Sequence, residues 1–176
     1  NITTDIDGDP RSAIHSDIGA DEYDPLPPLS GTYNIGPSAS LFKNFNEAVD
    51  SLIEVGDGGP VIFKIEDGTY DEQVTIPWIA NANETKTITF KSASGDSTKV
   101  ILTHAATGEN DNYTLKLNGV RFVTFRDMTF KATGTDYARV VEIGNKSYNS
   151  TFRNNQFTGV QNKSELVYSH AFTYGG

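Results

Sequence analysis

The chain has 176 residues, a formal charge of −9, 36% hydrophobic residues and no cysteine. This length suits one domain with a sizeable core. The charge argues against nucleic acid as a partner, the missing cysteine excludes disulfides and thiolate sites, and no apolar run of about 18 residues is present to span a membrane.

Residues 1–24 are acidic and rich in turn-forming residues. Asp5, Asp7 and Asp9 have the alternate spacing of the first ligands in a calcium loop. The EF-hand pattern then requires Gly at the sixth position and Glu at the twelfth, where this chain has Pro10 and Ser16. We therefore favour an Asp-rich turn, with a calcium site as the alternative, and no other cofactor is implied.

The same stretch, TTDIDGDPR followed by DIGADEY, resembles the closing motif of parallel β-helix domains in large secreted or surface-anchored bacterial proteins, notably from Bacteroidetes. The resemblance implies that residues 1–24 end a preceding module. Residues 25–37 contain Pro25, Pro27 and Pro28 and are predicted to form an extended linker, because proline has no N–H for a central ladder. The next module would then span 38–176.

One amphipathic helix is predicted at residues 40–55. Ser40 is the expected cap, and Gly56 with the following 57–60 is the expected stop. Its apolar residues recur at spacings of three and four, which places them on one face; they are Leu41, Phe42, Phe45, Ala48, Val49, Leu52 and Ile53. A helix placed before a series of strands is expected to cover the open end of the first coil.

Short apolar runs, each bounded by Gly, Asn, Asp or Ser, are predicted as strands, and no helical pattern separates them. They are 61–65, 73–77, 87–90, 100–102, 113–117, 122–125, 128–131, 140–143, 150–152, 157–160 and 166–168. Residues 66–68 are predicted as a turn between the first two strands.

Part of this pattern repeats at a spacing of 27 residues. FRDMTF at 125–130 returns as FRNNQF at 152–157, and 139–143 is followed at the same spacing by 166–170. An echo of the pattern at 87–91 precedes 122–126 by 35 residues. A unit too short to bury its own core that returns at a fixed spacing is typical of a solenoid. The predicted fold is therefore an all-β right-handed parallel β-helix. A β-sandwich is the alternative, although it would leave the repeat unexplained.

The repeat predicts which side chains stack between coils. Phe125 is expected over Phe152 and Phe130 over Phe157 inside the coil. Arg126 over Arg153 and Asp127 over Asn154 are expected outside it.

Residues 40–76 are predicted to contain a helix, a strand, a turn with the sequence GTYDE at 68–72, and a second strand. This order resembles the opening of pectin methylesterase-like proteins of the pectin lyase-like superfamily. Residues 152–162, FRNNQFTGVQN, resemble the segment of those esterases that carries an active-site Gln–Asp pair, which implies Gln161 as a catalytic candidate. The Asp is replaced by Asn162, an earlier Gln of the family falls near Arg139, and the remaining catalytic groups would lie beyond residue 176.

Other candidate site residues follow from a comparison with lyase chemistry, which needs carboxylates and an arginine on one face. Arg139 and Asp127 are the catalytic candidates in that case. Arg126 and Arg153 are the candidates for binding an acidic glycan, and Trp78 for stacking on sugar rings. An outer ladder of Arg and Asn with a purely structural role is the favoured alternative.

Because Asn162 replaces the active-site Asp and an earlier Gln of the family is absent, the sequence favours a non-catalytic role. The sequence predicts a segment of a large modular secreted or cell-surface bacterial protein that serves as a spacer, fibre or adhesin. The open coil end near 174–176 is expected to continue into more chain or to stack end to end on neighbouring copies. The alternatives are a polysaccharide-active enzyme, either a pectin-type lyase or a carbohydrate esterase, and a glycan-binding module, with a polysaccharide as partner.

Overall fold

The computed structural model describes residues 26–39, 41–161 and 163–169. In these residues the chain winds into a parallel β-helix of three sheets, so that each coil adds one strand to each sheet. Every pairing between the strands of the described residues is parallel. The predicted all-β parallel β-helix is therefore confirmed, and the β-sandwich is wrong because its sheets would require antiparallel pairs.

The first sheet has five strands, and the second and third have four each. The first sheet contains β1 (Leu29–Ile35), β2 (Asp57–Ile65), β5 (Ile88–Ser92), β8 (Val123–Arg126) and β11 (Thr151–Arg153). The second contains β3 (Gly68–Asp71), β6 (Val100–His104), β9 (Thr129–Ala132) and β12 (Gln156–Thr158). The third contains β4 (Val74–Pro77), β7 (Leu115–Asn118), β10 (Val141–Gly144) and β13 (Val167–Ser169).

The core is built by side chains that alternate between the inside and the outside of the coil. Phe63, Phe90, Phe125 and Phe152 stack in the first sheet with ring centroids 4.8, 5.3 and 5.2 Å apart. These distances match the spacing of roughly 4.7–4.9 Å between paired strands. The second sheet carries the predicted stack of Phe130 on Phe157 at 5.6 Å. Both predicted phenylalanine stacks are confirmed.

The polar side chains at the ends of β8 and β11 also stack at the 27-residue spacing, on the outside of the coil. Arg126 pairs in register with Arg153. Asn154 Nδ2 donates to Asp127 Oδ1 at 2.8 Å across that spacing. Both Asp127 and Asn154 have positive φ, at 59° and 53°, a conformation in which Asn and Asp are more frequent than other non-glycine residues. The predicted stacking of these pairs is confirmed.

The helix α1 (Phe45–Val55) begins five residues later than predicted. Asn44 caps it, because its Oδ1 accepts from Glu47 N at 2.9 Å and its backbone is extended. Phe42 instead forms a β-bridge with Ile35, which keeps the preceding residues out of the helix. The predicted cap, Ser40, lies outside the described residues. The predicted stop is confirmed: Gly56 N donates to Leu52 O at 2.9 Å.

A carboxylate from the first coil fastens this helix. Glu72 accepts from the free N–H groups of Phe45 and Asn46 at 3.1 and 3.0 Å. The first turn of a helix has unsatisfied N–H groups and a positive dipole end, so an anion stabilises it there. The helix therefore covers the first coil as predicted.

Residues 29–35 are not a linker. They form β1 in parallel register with β2, from Gly31 opposite Val61 to Ile35 opposite Ile65. The strand starts directly after Pro28, and Leu29 N donates to Gly56 O at 3.0 Å. The prolines restrict only the residues before it, so the predicted linker at 25–37 and the module start at 38 are wrong for this stretch. The predicted module end at 1–24 lies outside the described residues.

Residues 68–71 were predicted as part of a turn and are instead β3, in register with Val100–Thr103. Tyr70 is buried there, and its hydroxyl donates to Glu66 O at 2.9 Å. The turn prediction failed because Gly68 and Asp71 read as turn formers, whereas pairing with the next coil makes them strand residues.

The third sheet departs by one residue from the predicted register. A spacing of 27 would place Val141 over Tyr168, but Val141 pairs with Val167 and Glu142 with Tyr168. A shift of one residue exchanges the two faces of a strand. The observed register therefore puts Tyr168 outside with Glu142.

Replacement of a ring in the phenylalanine column tests the core. We expect Phe90→Ala to lower the free energy of unfolding by about 3–5 kcal/mol, because Phe90 is fully buried and stacks on both neighbouring coils. Ile53→Ala, on the exposed face of α1, is the control and should change it by about 0.5 kcal/mol or less. Urea unfolding followed by far-UV circular dichroism gives both values, and equal losses would contradict the column's role.

Asp57 is a buried carboxyl group at the start of β2, and its Oδ2 has no hydrogen-bond partner in the described residues. Burial raises its pKa above the ordinary value of 3.8, against the opposing effects of the Gly59 N–H and Lys86. Its ionisation in the folded state is therefore unfavourable, and that penalty appears as pH rises above 3.8. We expect Asp57→Asn to gain stability relative to the wild type between pH 4 and pH 7. A stability difference that stays constant across this range would contradict the assignment.

Candidate functional site

The outer face of the third sheet carries a row of polar side chains on four successive strands. Thr75 pairs with Lys116, Lys116 with Glu142, and Glu142 with Tyr168. On the first three of these strands the neighbours Ile76, Leu117 and Val141 point inward and are buried. Because side chains alternate along a strand, the parallel register places these outward residues in a line across the coils.

Arg139, just before β10, is the centre of this face. Its Nη1 lies 2.7 Å from Glu142 Oε2, its Nε 2.8 Å from Glu165 Oε2, and its Nη2 3.6 Å from Glu109 Oε1. The guanidinium also lies over the Tyr168 ring, 3.9 Å from its centroid. Three carboxylates from three coils therefore meet at one arginine.

The loop between β6 and β7 positions Glu109, the first of these three carboxylates along the chain. It contains a short 3₁₀ helix, Glu109–Asp111, followed by the buried Asn112. Asn112 Oδ1 accepts from Arg139 N at 2.9 Å, and its Nδ2 donates to Glu109 at 3.4 Å. One asparagine thus fixes the arginine's backbone and one of its carboxylate partners.

Glu142 and Arg139 are both shielded from solvent, with side chains 9% and 10% exposed. Burial favours the neutral form of Glu142, but hydrogen bonds from Lys116 and Arg139 outweigh it and hold the pKa of this carboxyl below its usual range. Burial lowers the pKa of Arg139, but the hydrogen bonds to Glu165 and Glu142 outweigh this effect and raise the pKa above its ordinary value. Both groups therefore stay charged at neutral pH.

An open pocket of about 400 Å³ lies over this network. We call it the Arg139 pocket; its lining residues are Glu109, Asn110, Lys116, Arg139, Glu142 and Tyr168. Beyond Lys116 the polar row continues to Tyr113, whose hydroxyl lies 2.9 Å from Thr75 Oγ1. The pocket offers donors, acceptors and a tyrosine edge, which suits binding of a hydroxyl-rich molecule. Glu142 serves there as an acceptor, because the lowered pKa of its carboxyl group keeps it ionised.

The three catalytic candidates are not brought together. Arg139 lies in the pocket, whereas Asp127 follows β8 and is bonded to Asn154 and Arg126. The hydrogen bond from Asn154 is the main reason that the pKa of Asp127 is lowered. Gln161 follows β12 and is exposed, and no hydrogen bond links it to Arg139 within the described part of the chain. Asn162, Asp5, Asp7 and Asp9 lie outside that part.

The three binding candidates are also apart from the pocket. Arg126 and Arg153 form the outer ladder at the ends of β8 and β11. Trp78 follows β4 and is 59% exposed. Sequence reasoning did not single out Glu109, Lys116 or Glu165 as site residues. The 27-residue repeat could not have found Lys116, because Lys116 lies 26 residues before Glu142, the residue with which it pairs.

In residues 26–39, 41–161 and 163–169, no group of three or more His, Asp or Glu side chains could hold a metal ion. The same residues contain no helix long and apolar enough to cross a membrane.

No family model and no curated protein matches the chain. Solved structures do. Pectin methylesterase from Aspergillus niger, in its deglycosylated form, matches with a TM-score of 0.60 at 18% identity over 80% of this chain and 46% of the other. A penultimately deglycosylated form of that enzyme matches with a TM-score of 0.59 at the same identity. The chain shares the parallel β-helix fold of these enzymes.

The superfamily resemblance found in the sequence is thus confirmed at the level of the fold. The chain spans just under half the length of these pectin methylesterases. The Bacteroidetes context stays a prediction.

Removal of Arg139 tests the network. We expect Arg139→Gln to lower the free energy of unfolding by about 3 kcal/mol at pH 7, because it removes one of the two cations, each 2.7 Å away, that pair with the shielded Glu142. The low pKa of Glu142 stabilises the fold above its ordinary value of 4.5, and this contribution is lost as pH falls through the folded pKa. The deficit of the variant should therefore shrink toward pH 3. Glu109→Gln is the control, because the Glu109 side chain is 70% exposed and its Oε1 lies 3.6 Å from Arg139 Nη2. A loss of stability as large as that of Arg139→Gln would contradict the greater importance of the shielded pair.

Proposed function

We propose that this β-helix binds a polysaccharide on the outer face of its third sheet, in the Arg139 pocket. The observation that carries the proposal is the row Thr75–Lys116–Glu142–Tyr168, which lies in register beneath an open pocket. A linear glycan presents hydroxyl groups at regular intervals, and a parallel β-helix presents side chains at regular intervals of one coil. The structural neighbours, both pectin methylesterases, make pectin the first ligand to test.

The pocket supports binding better than turnover. A general acid at neutral pH needs a carboxyl group with a raised pKa, whereas the pKa of Glu142 is lowered. Arg139 is already bonded to three carboxylates. These groups are fixed as donors and acceptors, which is the preorganisation that favours recognition.

A polysaccharide-active enzyme is the second candidate, because both structural neighbours are enzymes of pectin. The spacer, fibre or adhesin role is not favoured by the comparisons. That role, an extracellular or cell-surface bacterial location, calcium at Asp5, Asp7 and Asp9, and end-to-end stacking of copies all stay predictions.

The binding experiment uses the whole 176-residue chain in affinity electrophoresis through gels that contain pectin, polygalacturonate or neutral galactan, with and without calcium. We expect retardation by at least one polysaccharide. Lys116→Gln should weaken it roughly tenfold, because one hydrogen bond to a charged donor is lost. Lys131→Gln removes the same charge from an exposed position on β9 of the second sheet and is the matched control.

Each outcome separates the candidates. Migration unaffected by all three gels would remove the binding proposal. Equal weakening by Lys116→Gln and Lys131→Gln would move the ligand away from the Arg139 pocket. Release of methanol or of unsaturated oligosaccharides by the wild type would establish the enzyme instead.

A further inference from the structure

A second candidate surface lies where the third sheet turns into the first. Three successive coils make this turn at 78–87, 119–122 and 145–150, and we call these residues the basic corner. The bridges Pro77–Gly119 and Arg121–Tyr148 connect the three turns. Arg121 therefore lies one coil, roughly 4.7–4.9 Å, from Tyr148. Trp78 lies beside Gly119, which precedes Arg121 by two residues, so it belongs to the same corner.

Arg121 differs from Arg126 in the outer ladder and from Arg139 in the pocket. Arg126 and Arg139 each contact a carboxylate at less than 3 Å, whereas Arg121 has no ion pair or side-chain hydrogen bond in the described part of the chain. Its Nε is buried without a hydrogen-bond partner there. Its guanidinium is held instead over the Tyr148 ring, 4.7 Å from the centroid. The charge is thus fixed in place but not neutralised, which suits an anion from outside.

The surroundings of Arg121 are basic although the chain is acidic. The three turns contain Lys86, Arg121 and Lys146 against the single carboxylate Glu84, in a chain of net charge −9. A local excess of positive charge attracts an anion even when the whole molecule is negative, because the potential near a surface is dominated by charges within a Debye length of about 8–10 Å.

Aromatic rings flank this charge. Trp78 is 59% exposed and Tyr148 is 44% exposed. Phe122 supports Tyr148 from the side, with ring centroids 5.9 Å apart. Tyr148 already carries the guanidinium on its face, so Trp78 is the ring available for a ligand. An exposed Trp beside Gly119 and the positively charged Arg121 two residues further along the same turn together match a ligand that has an apolar face and an anionic group.

We propose that the basic corner binds an oxyanion-bearing sugar residue, with a carboxylate or a sulfate ester paired to Arg121 and the sugar face stacked on Trp78. This inference rests on the proposed polysaccharide function and adds to it a charge-selective subsite outside the Arg139 pocket. A polysaccharide that contacts both surfaces would be selected for anionic residues at the corner and for hydroxyl groups in the pocket.

The first test reads the site directly, without a polysaccharide. The Nε–H signal of Arg121 is assigned in the NMR spectrum by its loss in Arg121→Gln, and the wild type is titrated with galacturonate, galactose 6-sulfate, galactose and inorganic sulfate. We expect this signal to move with the two anionic sugars and not with galactose. No movement with either anionic sugar would overturn the proposal, and an equal response to inorganic sulfate would overturn the sugar part of it.

The second test uses polygalacturonate and its fully methyl-esterified form in affinity electrophoresis. Arg121→Gln should abolish the preference for the anionic form, with a loss of about tenfold for that form alone. Trp78→Ala should weaken both forms, and Lys131→Gln, which removes one charge elsewhere, should preserve the preference. Equal effects of Arg121→Gln and Lys131→Gln would overturn the assignment. If the Arg121 signal responds to galacturonate but no polysaccharide is retarded, the proposed polysaccharide function is wrong, whereas the anion site at the basic corner is supported.

Discussion

The stack of phenylalanines on the inner face of the first sheet is the constraint on which the rest of the molecule depends. Phe63, Phe90, Phe125 and Phe152 can remain in contact only if every coil advances by one strand spacing and keeps the same inward face. A slip of one residue in any coil would expose a ring and bury its polar neighbour. Because the column fixes the register of the first sheet, extra residues in a longer coil must go into the turns.

Those turns make the two surfaces proposed for binding. The loop before β7 adds the residues that carry Glu109 and Asn112 to Arg139. The turns after β4, β7 and β10 carry Trp78, Arg121 and Tyr148. The rigid coil therefore sets the spacing of the polar groups, and the variable turns set their chemistry, which is the usual division between a scaffold and its sites.

The Arg139 network has both a structural and a recognition role. Its carboxylates come from three coils, so it fastens the third sheet, and Glu142 is shielded enough that removing its cation would be costly. The same bonds hold every charged group in a fixed position toward the pocket. A group locked in this way binds with little loss of side-chain entropy, but it is unsuited to exchange protons.

The sequence alone determined the fold, the phenylalanine stacks and the Arg126–Arg153 ladder, because like residues repeat at a constant spacing and the inward–outward alternation is local. It also gave most strands to within two residues. Tertiary structure decided what depends on contacts between coils: β1 in place of a linker, the helix start at Asn44, and the one-residue shift that pairs Glu142 with Tyr168. Tertiary structure also decided that Arg139 contacts both Glu109 and Glu165. Turn lengths differ from coil to coil, so no local pattern reports which outward side chains will meet, and only the closed coils bring them together.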